Sequence, residues 1–265
     1  MTSVSKSNLK CRPLVAVSFK MYLNLQETYA WTDAIVKILR SRPCPAASRA
    51  IDIAIFPTFP ALYQCGLRTR GTPIELGAQN LCHDVHGPYT GEVSAEVLRE
   101  LNCCWVVVGH AERRRMFGET DQMVAEKGLV ATRSGLRPLI CIGEREMRGV
   151  SYAVEECIRQ ARSVLERQPA NASLVLAYEP VWAIGAERPA DHEHVNAVLK
   201  SLREAFPDRR NTVRYIYGGS AGAGIYRNIA EQANGLFLGR FAHDPQAFAT
   251  VLDEVCTAAS TSEVS

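Results

Sequence analysis

Leu174-Val175-Leu176-Ala177-Tyr178-Glu179-Pro180-Val181-Trp182-Ala183-Ile184-Gly185 is the stretch from which the architecture can be read. It opens as an unbroken apolar run, short enough for a strand buried on both faces of a parallel sheet, and stops at one carboxylate followed by proline. Glu179 therefore falls at the C-terminal end of a strand, and Pro180 holds it in extended backbone. Val181, Trp182, Ala183 and Ile184 give the next segment an apolar underside, suited to folding over a ligand and excluding water. A carboxylate beneath such a lid is a stronger base than a solvated one. A surface glutamate that merely ends a strand is the competing reading of the same residues.

Seven similar runs accompany this one: Leu14-Val17, Ile51-Phe56, Ile74-Ala78, Cys104-Val108, Pro138-Ile142, Val213-Tyr217 and Leu236-Leu238. Helical periods lie between them. Trp31, Ala34, Ile35, Ile38 and Leu39 share one face, Ser94 is placed to cap a helix starting at Ala95, and Val195, Val198, Leu199 and Leu202 form a stripe. Eight strand-helix units in one chain give an α/β fold, a single-domain (β/α)8 barrel over residues 13–257, with an extension at 1–12 and a frayed tail at 258–265. A doubly wound open sheet is the alternative. No dinucleotide fingerprint follows any strand; Gly222 and Gly224 lie near such a spacing without the rest of it.

The 265 residues, 47% hydrophobic and 22% charged, fit an ordinary globular core, and a net charge of +2 gives no reason to expect nucleic acid or membrane as a partner. Nine scattered cysteines without a repeated CxxC suggest reduced thiols. Residues 1–12 are polar, without the apolar centre of a signal peptide, so the expected location is cytoplasmic.

In a barrel of this kind chemistry sits at the strand ends. Those ends are Ser18-Phe19-Lys20-Met21, Gln79-Asn80, Gly109-His110-Ala111-Glu112-Arg113-Arg114, Cys141-Ile142-Gly143-Glu144, Glu179-Pro180, Tyr217-Gly218-Gly219-Ser220 and Gly239-Arg240. A cation, an imidazole and a carboxylate share one mouth, and the glycine-rich turns of the last two strands offer backbone N–H groups to an anion. Singly, each piece has a plainer reading: Lys20 as a solvated strand-end lysine, His110 as a histidine packed under a turn, Gly218-Gly219 as a tight turn. Cys141 reads as a core thiol, since no histidine neighbours it. The pairs His83/His86 and His192/His194 lack a third metal ligand at a sensible spacing and read as solvated loop or helix-start histidines, so neither a metal nor another cofactor is expected.

Together these ends resemble the triosephosphate isomerase family over nearly the whole chain. The matching blocks are Phe19-Lys20-Met21, Gly77-Ala78-Gln79-Asn80, Tyr89-Thr90-Gly91-Glu92, Gly109 to Arg114, Phe117-Gly118-Glu119-Thr120, Cys141 to Glu144, Tyr178 to Gly185 and Tyr217 to Ser220, in the family's order. The resemblance implies that Glu179 shuttles a proton between adjacent carbons, that His110 polarises the carbonyl and that Lys20 faces the substrate as a cation. It implies that Glu112 orients the site, and that Gly185, Ser220, Gly239 and Arg240 hold phosphate through their backbone. A basic glutamate with a neutral histidine beneath a closing loop is a logic for which triosephosphate isomerase is itself the standard example. The family also implies a homodimer, with the loop from His83 to Glu92, Thr90 near its tip, inserted beside the neighbouring subunit's lysine.

Several residues depart from the family pattern. Ser18 stands where asparagine precedes the lysine, Ala111 replaces serine after the histidine, and the lid's Gly-Thr-Gly is Gly185-Ala186-Glu187, with Pro189 near its second hinge. Arg240 replaces the second glycine of the last phosphate loop. Ser18 and Arg240 resemble a branch of the family that isomerises tetrulose phosphates in four-carbon polyol (erythritol) breakdown. The expected reaction is L-erythrulose 1-phosphate to D-erythrulose 4-phosphate through an enediol. The competing readings are interconversion of dihydroxyacetone phosphate and glyceraldehyde 3-phosphate, a Schiff-base aldolase using Lys20, and a silent binding module.

Overall fold

A computed structural model of the chain describes residues 12–41, 50–186 and 189–261. Cys11, Cys44, Glu187, the expected extension before residue 12 and residues 262–265 lie outside the described residues. Eight parallel strands close into a barrel: β1 (Leu14–Ser18), β2 (Asp52–Phe56), β3 (Ile74–Ala78), β4 (Cys103–Val108), β5 (Arg137–Ile142), β6 (Leu174–Tyr178), β7 (Val213–Tyr217) and β8 (Gly235–Leu238). Closure is direct, because Val15 of β1 is in register with Ile53 on one side and with Leu236 on the other. No sheet edge is left to pair with another chain. The helices among the described residues are α1 (Leu25–Ser41), α2 (Leu62–Arg68), α3 (Ala95–Glu100), α4 (Ala111–Phe117), α5 (Asp121–Arg133), α6 (Val150–Leu165), α7 (His192–Ala205), α8 (Tyr226–Ile229) and α9 (Pro245–Thr261). None is long and apolar enough to cross a membrane.

The local signals are met. Ser94 Oγ accepts the Val97 N–H and caps α3, and Val195, Val198, Leu199 and Leu202 are the buried stripe of α7. One boundary differs from the sequence reading. Rather than giving way to a tail at residue 258, α9 continues to Thr261, and Ala258 packs against the core, so an apolar contact prolongs the helix.

Strand periodicity aims the functional residues. Leu14 and Ala16 of β1, Val175 and Ala177 of β6, Trp105 and Val107 of β4 and Phe237 of β8 belong to the cluster inside the barrel, whereas Val15, Val17, Leu174 and Leu176 pack outward against the helices. Two residues beyond each inward pair comes another inward position, which is Ser18 on β1 and Glu179 after β6. The opposite end is plugged. Trp105 Nε1 donates to Glu75 at 2.7 Å, and Arg137 lies 3.8 Å from the centre of that ring while pairing with the same carboxylate at 2.5 Å.

A buried carboxylate also braces the functional mouth. Glu119 Oε1 accepts from Arg113 Nε at 2.5 Å and from Lys127 Nζ at 2.6 Å, and Lys127 reaches Asn80 Oδ1 at 2.9 Å. The loop after β3 is thus tied to α4 and α5. Burial pushes the Glu119 carboxyl up, but the hydrogen bonds from Lys127 and Arg113 outweigh it and hold the group below the usual carboxylate range. Its contribution is therefore full above the unfolded value of about 4.3 and is lost as pH falls through the lower folded value. Glu119→Gln, which leaves Lys127 buried without its counter-charge, is expected to cost about 3–5 kcal/mol in urea unfolding at neutral pH, with a deficit that shrinks below about pH 4. A loss under about 1 kcal/mol would show that the network braces little.

Candidate active site

Lys20 follows β1 with φ +49°, a left-handed conformation costing a residue with a side chain on the order of 1–3 kcal/mol. Its neighbours hold it there: Gln79 Nε2 donates to the Lys20 carbonyl and to that of Phe56, both at 2.9 Å, and the Lys20 N–H reaches Ser18 Oγ at 3.2 Å. The ammonium donates to Glu112 Oε1 at 2.5 Å. Burial raises the Glu112 carboxyl, but the Lys20 hydrogen bond and the charges of His110 and Lys20 bring it below its ordinary value. The cation thus rests on a carboxylate that an anionic ligand would have to outcompete.

His110 caps α4, its Nδ1 accepting the Glu112 N–H at 3.1 Å. That bond assigns the proton of a neutral ring to Nε2, which faces Glu179 Oε1 at 3.6 Å. Glu179 is 3% exposed, and its Oε2 is buried without a hydrogen-bond partner among the described residues. Two glycines make this placement possible. A Cβ at Gly143 would lie 1.9 Å from the Glu179 carbonyl oxygen, and one at Gly218 would lie 2.9 Å from Glu179 Cγ. Below the base, Cys141 is buried, its thiol pushed up by burial and next by the Glu179 charge. It is a core thiol rather than a nucleophile.

One cavity of about 340 Å³ is lined by Ser18, Lys20, His110, Glu112 and Glu179 together with Gly185, Ser220, Gly239 and Arg240. A donor for a developing oxyanion, a carboxylate with one unpartnered oxygen, a cation and a glycine-rich rim therefore face the same space. Thr90 is not among them; it is exposed on the loop after β3, which a 2.8 Å hydrogen bond from Tyr89 to Asp84 stiffens.

A family model described as triosephosphate isomerase matches residues 13–255. The chain belongs to the triosephosphate isomerase family. It is accordingly a sugar-phosphate isomerase. It is 40% identical over 251 residues to an L-erythrulose-1-phosphate isomerase of Pectobacterium atrosepticum, covering 93% of this chain and 96% of the relative. The triosephosphate isomerase of Aquifex aeolicus is 33% identical (91% and 98% covered), and that of Thermus thermophilus is 37% identical (84% and 90% covered).

Within this isomerase, four placements add to or correct the sequence reading. The Gly185 N–H, expected to face phosphate, donates instead to Ser220 Oγ at 3.1 Å, while that hydroxyl donates to the Ala183 carbonyl at 2.6 Å. A phosphate drawing on Gly185 must displace this bond. His192 is exposed as expected, but His194 is not a solvated histidine: its Nε2 lies 2.9 Å from the Tyr178 hydroxyl, and the side chain is only 15% exposed. His243, which the sequence did not single out, lies 3.1 Å from the Ser18 carbonyl through Nε2. Burial, opposed by that bond and aided by Lys20 and Arg240, lowers its pKa. Phe237 was missed as well. It follows the inward period of β8 and sets its ring edge-on to His110, with centroids 6.4 Å apart.

Proposed function

We propose that this enzyme isomerises a four-carbon ketose phosphate, converting L-erythrulose 1-phosphate to D-erythrulose 4-phosphate without a cofactor. The observation that carries this reading is Ser18. It points inward at the end of β1, lines the cavity beside Lys20, and its hydroxyl donates to no protein group among the described residues. Relative to dihydroxyacetone phosphate, the tetrulose bears one extra CH2OH on the carbon that loses its proton. A short side chain with a free O–H leaves room for that group and a hydrogen bond to it. The similarity to the Pectobacterium enzyme supports the same substrate.

In this reading Glu179 removes the C3 proton and returns it to C2, because its Oε2 has no donor to give up. His110 donates from Nε2 to the carbonyl oxygen as charge builds on it and shifts the hydroxyl proton between the two oxygens. Lys20, drawn from Glu112, stabilises the same developing charge, and Glu112 sets the resting position of that cation. Gly185, Ser220, Gly239 and Arg240 hold the phosphate, whose binding energy is remote from the reacting carbons. No step needs a metal or a redox group. A Schiff-base aldolase is the weaker reading, since Lys20 is ion-paired rather than free to attack a carbonyl. Interconversion of the two triose phosphates is the stronger rival, and it fits a cytoplasmic enzyme as well as tetrulose isomerisation in polyol breakdown does.

A twofold homodimer is part of the proposal. Met21, Met116 and Phe117 are exposed around a cleft of about 430 Å³ that also reaches Lys20 and His110, and the exposed loop bearing Thr90 is its proposed occupant from the partner. Sedimentation is expected to show a dimer that Thr90→Arg weakens; an active native monomer at assay concentration would contradict it.

Comparing kcat/KM on L-erythrulose 1-phosphate and on dihydroxyacetone phosphate tests the substrate. The native enzyme is expected to favour the tetrulose, and Ser18→Asn to shift the ratio toward the triose by about tenfold or more, the worth of filling space one polar group occupies. A native preference for the triose that Ser18→Asn leaves unchanged would overturn the assignment.

A further inference from the structure

Behind the lid's first hinge, side chains from three segments converge on one buried carboxylate. Glu144, just after β5, is 1% exposed. Its Oε1 accepts from Trp182 Nε1 in the lid at 2.6 Å and from the Tyr178 hydroxyl on β6 at 3.1 Å, while its Oε2 is buried with no partner among the described residues. Its backbone carbonyl accepts the Val181 N–H at 2.9 Å, so the hinge is bound to this residue twice. His194, from the first turn of α7, completes the group. Its Nε2 is 2.9 Å from the Tyr178 hydroxyl and 3.6 Å from Glu144 Oε1, and its ring meets the Trp182 indole nearly at right angles with centroids 5.9 Å apart.

The proton inventory fixes the direction of these bonds. Tyr178 gives its single proton to the Glu144 carboxylate, which only accepts, and the His194 tautomer assigned on that basis donates from Nε2 to the Tyr178 oxygen. Burial, and next the Glu144 charge, keeps Tyr178 protonated for that role. Tyr178 directly precedes Glu179, and Trp182 lies three residues beyond it. The base is therefore suspended between two side chains that share one acceptor, with His194 packed against both.

We infer that His194 is a positioning residue for the lid and the base, holding Tyr178 and Trp182 on Glu144 so that the segment from Glu179 to Ile184 stays seated while the enediolate exists. This rests on the isomerase reading and names a residue of its control. Without that hold the exposed intermediate has another exit. The C3 oxygen re-forms its carbonyl, the electrons of the C2–C3 double bond move to C1–C2, and the C1–O bond breaks with its electron pair leaving on phosphate. Tautomerisation of the resulting enol gives 1-hydroxybutane-2,3-dione, and neither an oxidant nor a reductant is consumed.

Two readouts on the full-length enzyme test this, with His194→Phe keeping the ring but not the donor and His194→Gln keeping a donor. The first is hydrogen exchange of the indole N–H groups by NMR; the second is inorganic phosphate released per isomerisation of L-erythrulose 1-phosphate. In His194→Phe the Trp182 indole is expected to exchange about tenfold faster, the change that losing one hydrogen bond brings, while Trp31 and Trp105 stay native. Phosphate release per turnover should rise about tenfold, kcat should fall more than KM changes, and His194→Gln should restore most of both. Native Trp182 protection in His194→Phe overturns the inference. So does faster exchange with an unchanged phosphate fraction, or equal loosening of all three indoles. A native enzyme that isomerises neither ketose phosphate sinks the isomerase reading instead, and the exchange of Trp182 still decides the role of His194.

Discussion

A carboxylate kept almost dry at the mouth of a barrel, one of its oxygens without a partner, is the constraint on which the site depends. Glu179 Oε2 has no donor among the described residues, a condition that costs on the order of 1–3 kcal/mol or more for a buried polar group. Local structure cannot offset that, so the whole barrel must. The inward period of β6 aims the side chain, Gly143 lets the Glu179 backbone come close, Gly218 leaves room for its Cγ, and His110 Nε2 stops 3.6 Å from Oε1. A donor added to quiet this carboxylate would stabilise the protein and take away its capacity to accept a proton from carbon.

The same economy of partners runs through the rest of the mouth. Lys20 sits in a strained backbone conformation that Gln79 and Ser18 enforce, and its charge is parked on Glu112 rather than buried alone. Ser220 spends its hydroxyl on the lid. Two of these contacts are exchangeable: the Lys20 ammonium and the Gly185 N–H now donate to Glu112 and Ser220, and an oxygen of a phosphorylated ligand can take the place of either acceptor. The contacts behind the wall are different in kind, since Glu119 with Lys127 and Glu144 with Tyr178 are buried, and Trp182 reaches Glu144 from the lid. A rigid back layer thus carries a front layer able to change partners.

How far the sequence discloses this follows from the range of each signal. Strands and their order were legible because Leu174–Tyr178 and its counterparts are short, apolar and separated by helical periods, and Ser94 marks its own helix. The inward aim of Glu179 followed from counting by twos. What escaped depends on contacts between distant segments. His194 looked solvated because nothing near it in sequence says that Tyr178, sixteen residues earlier on the outer face of β6, carries a hydroxyl to meet it. His243 meets Ser18 only because β8 closes onto β1, and the Gly185 N–H is diverted by a serine thirty-five residues away. The end of α9 was misplaced since the packing of Ala258 is likewise a tertiary fact.

The central claim is that Glu179 moves a proton between adjacent carbons of a ketose phosphate. Its most direct test is exchange at carbon in deuterated water, following L-erythrulose 1-phosphate by proton NMR with native enzyme and with Glu179→Gln. The account predicts that the native enzyme introduces deuterium at the C2 and C3 positions as it interconverts the two ketoses, and that Glu179→Gln slows this by about 10² to 10⁴ while the fold and phosphate binding persist. Equal rates of deuterium incorporation in the two proteins would contradict it.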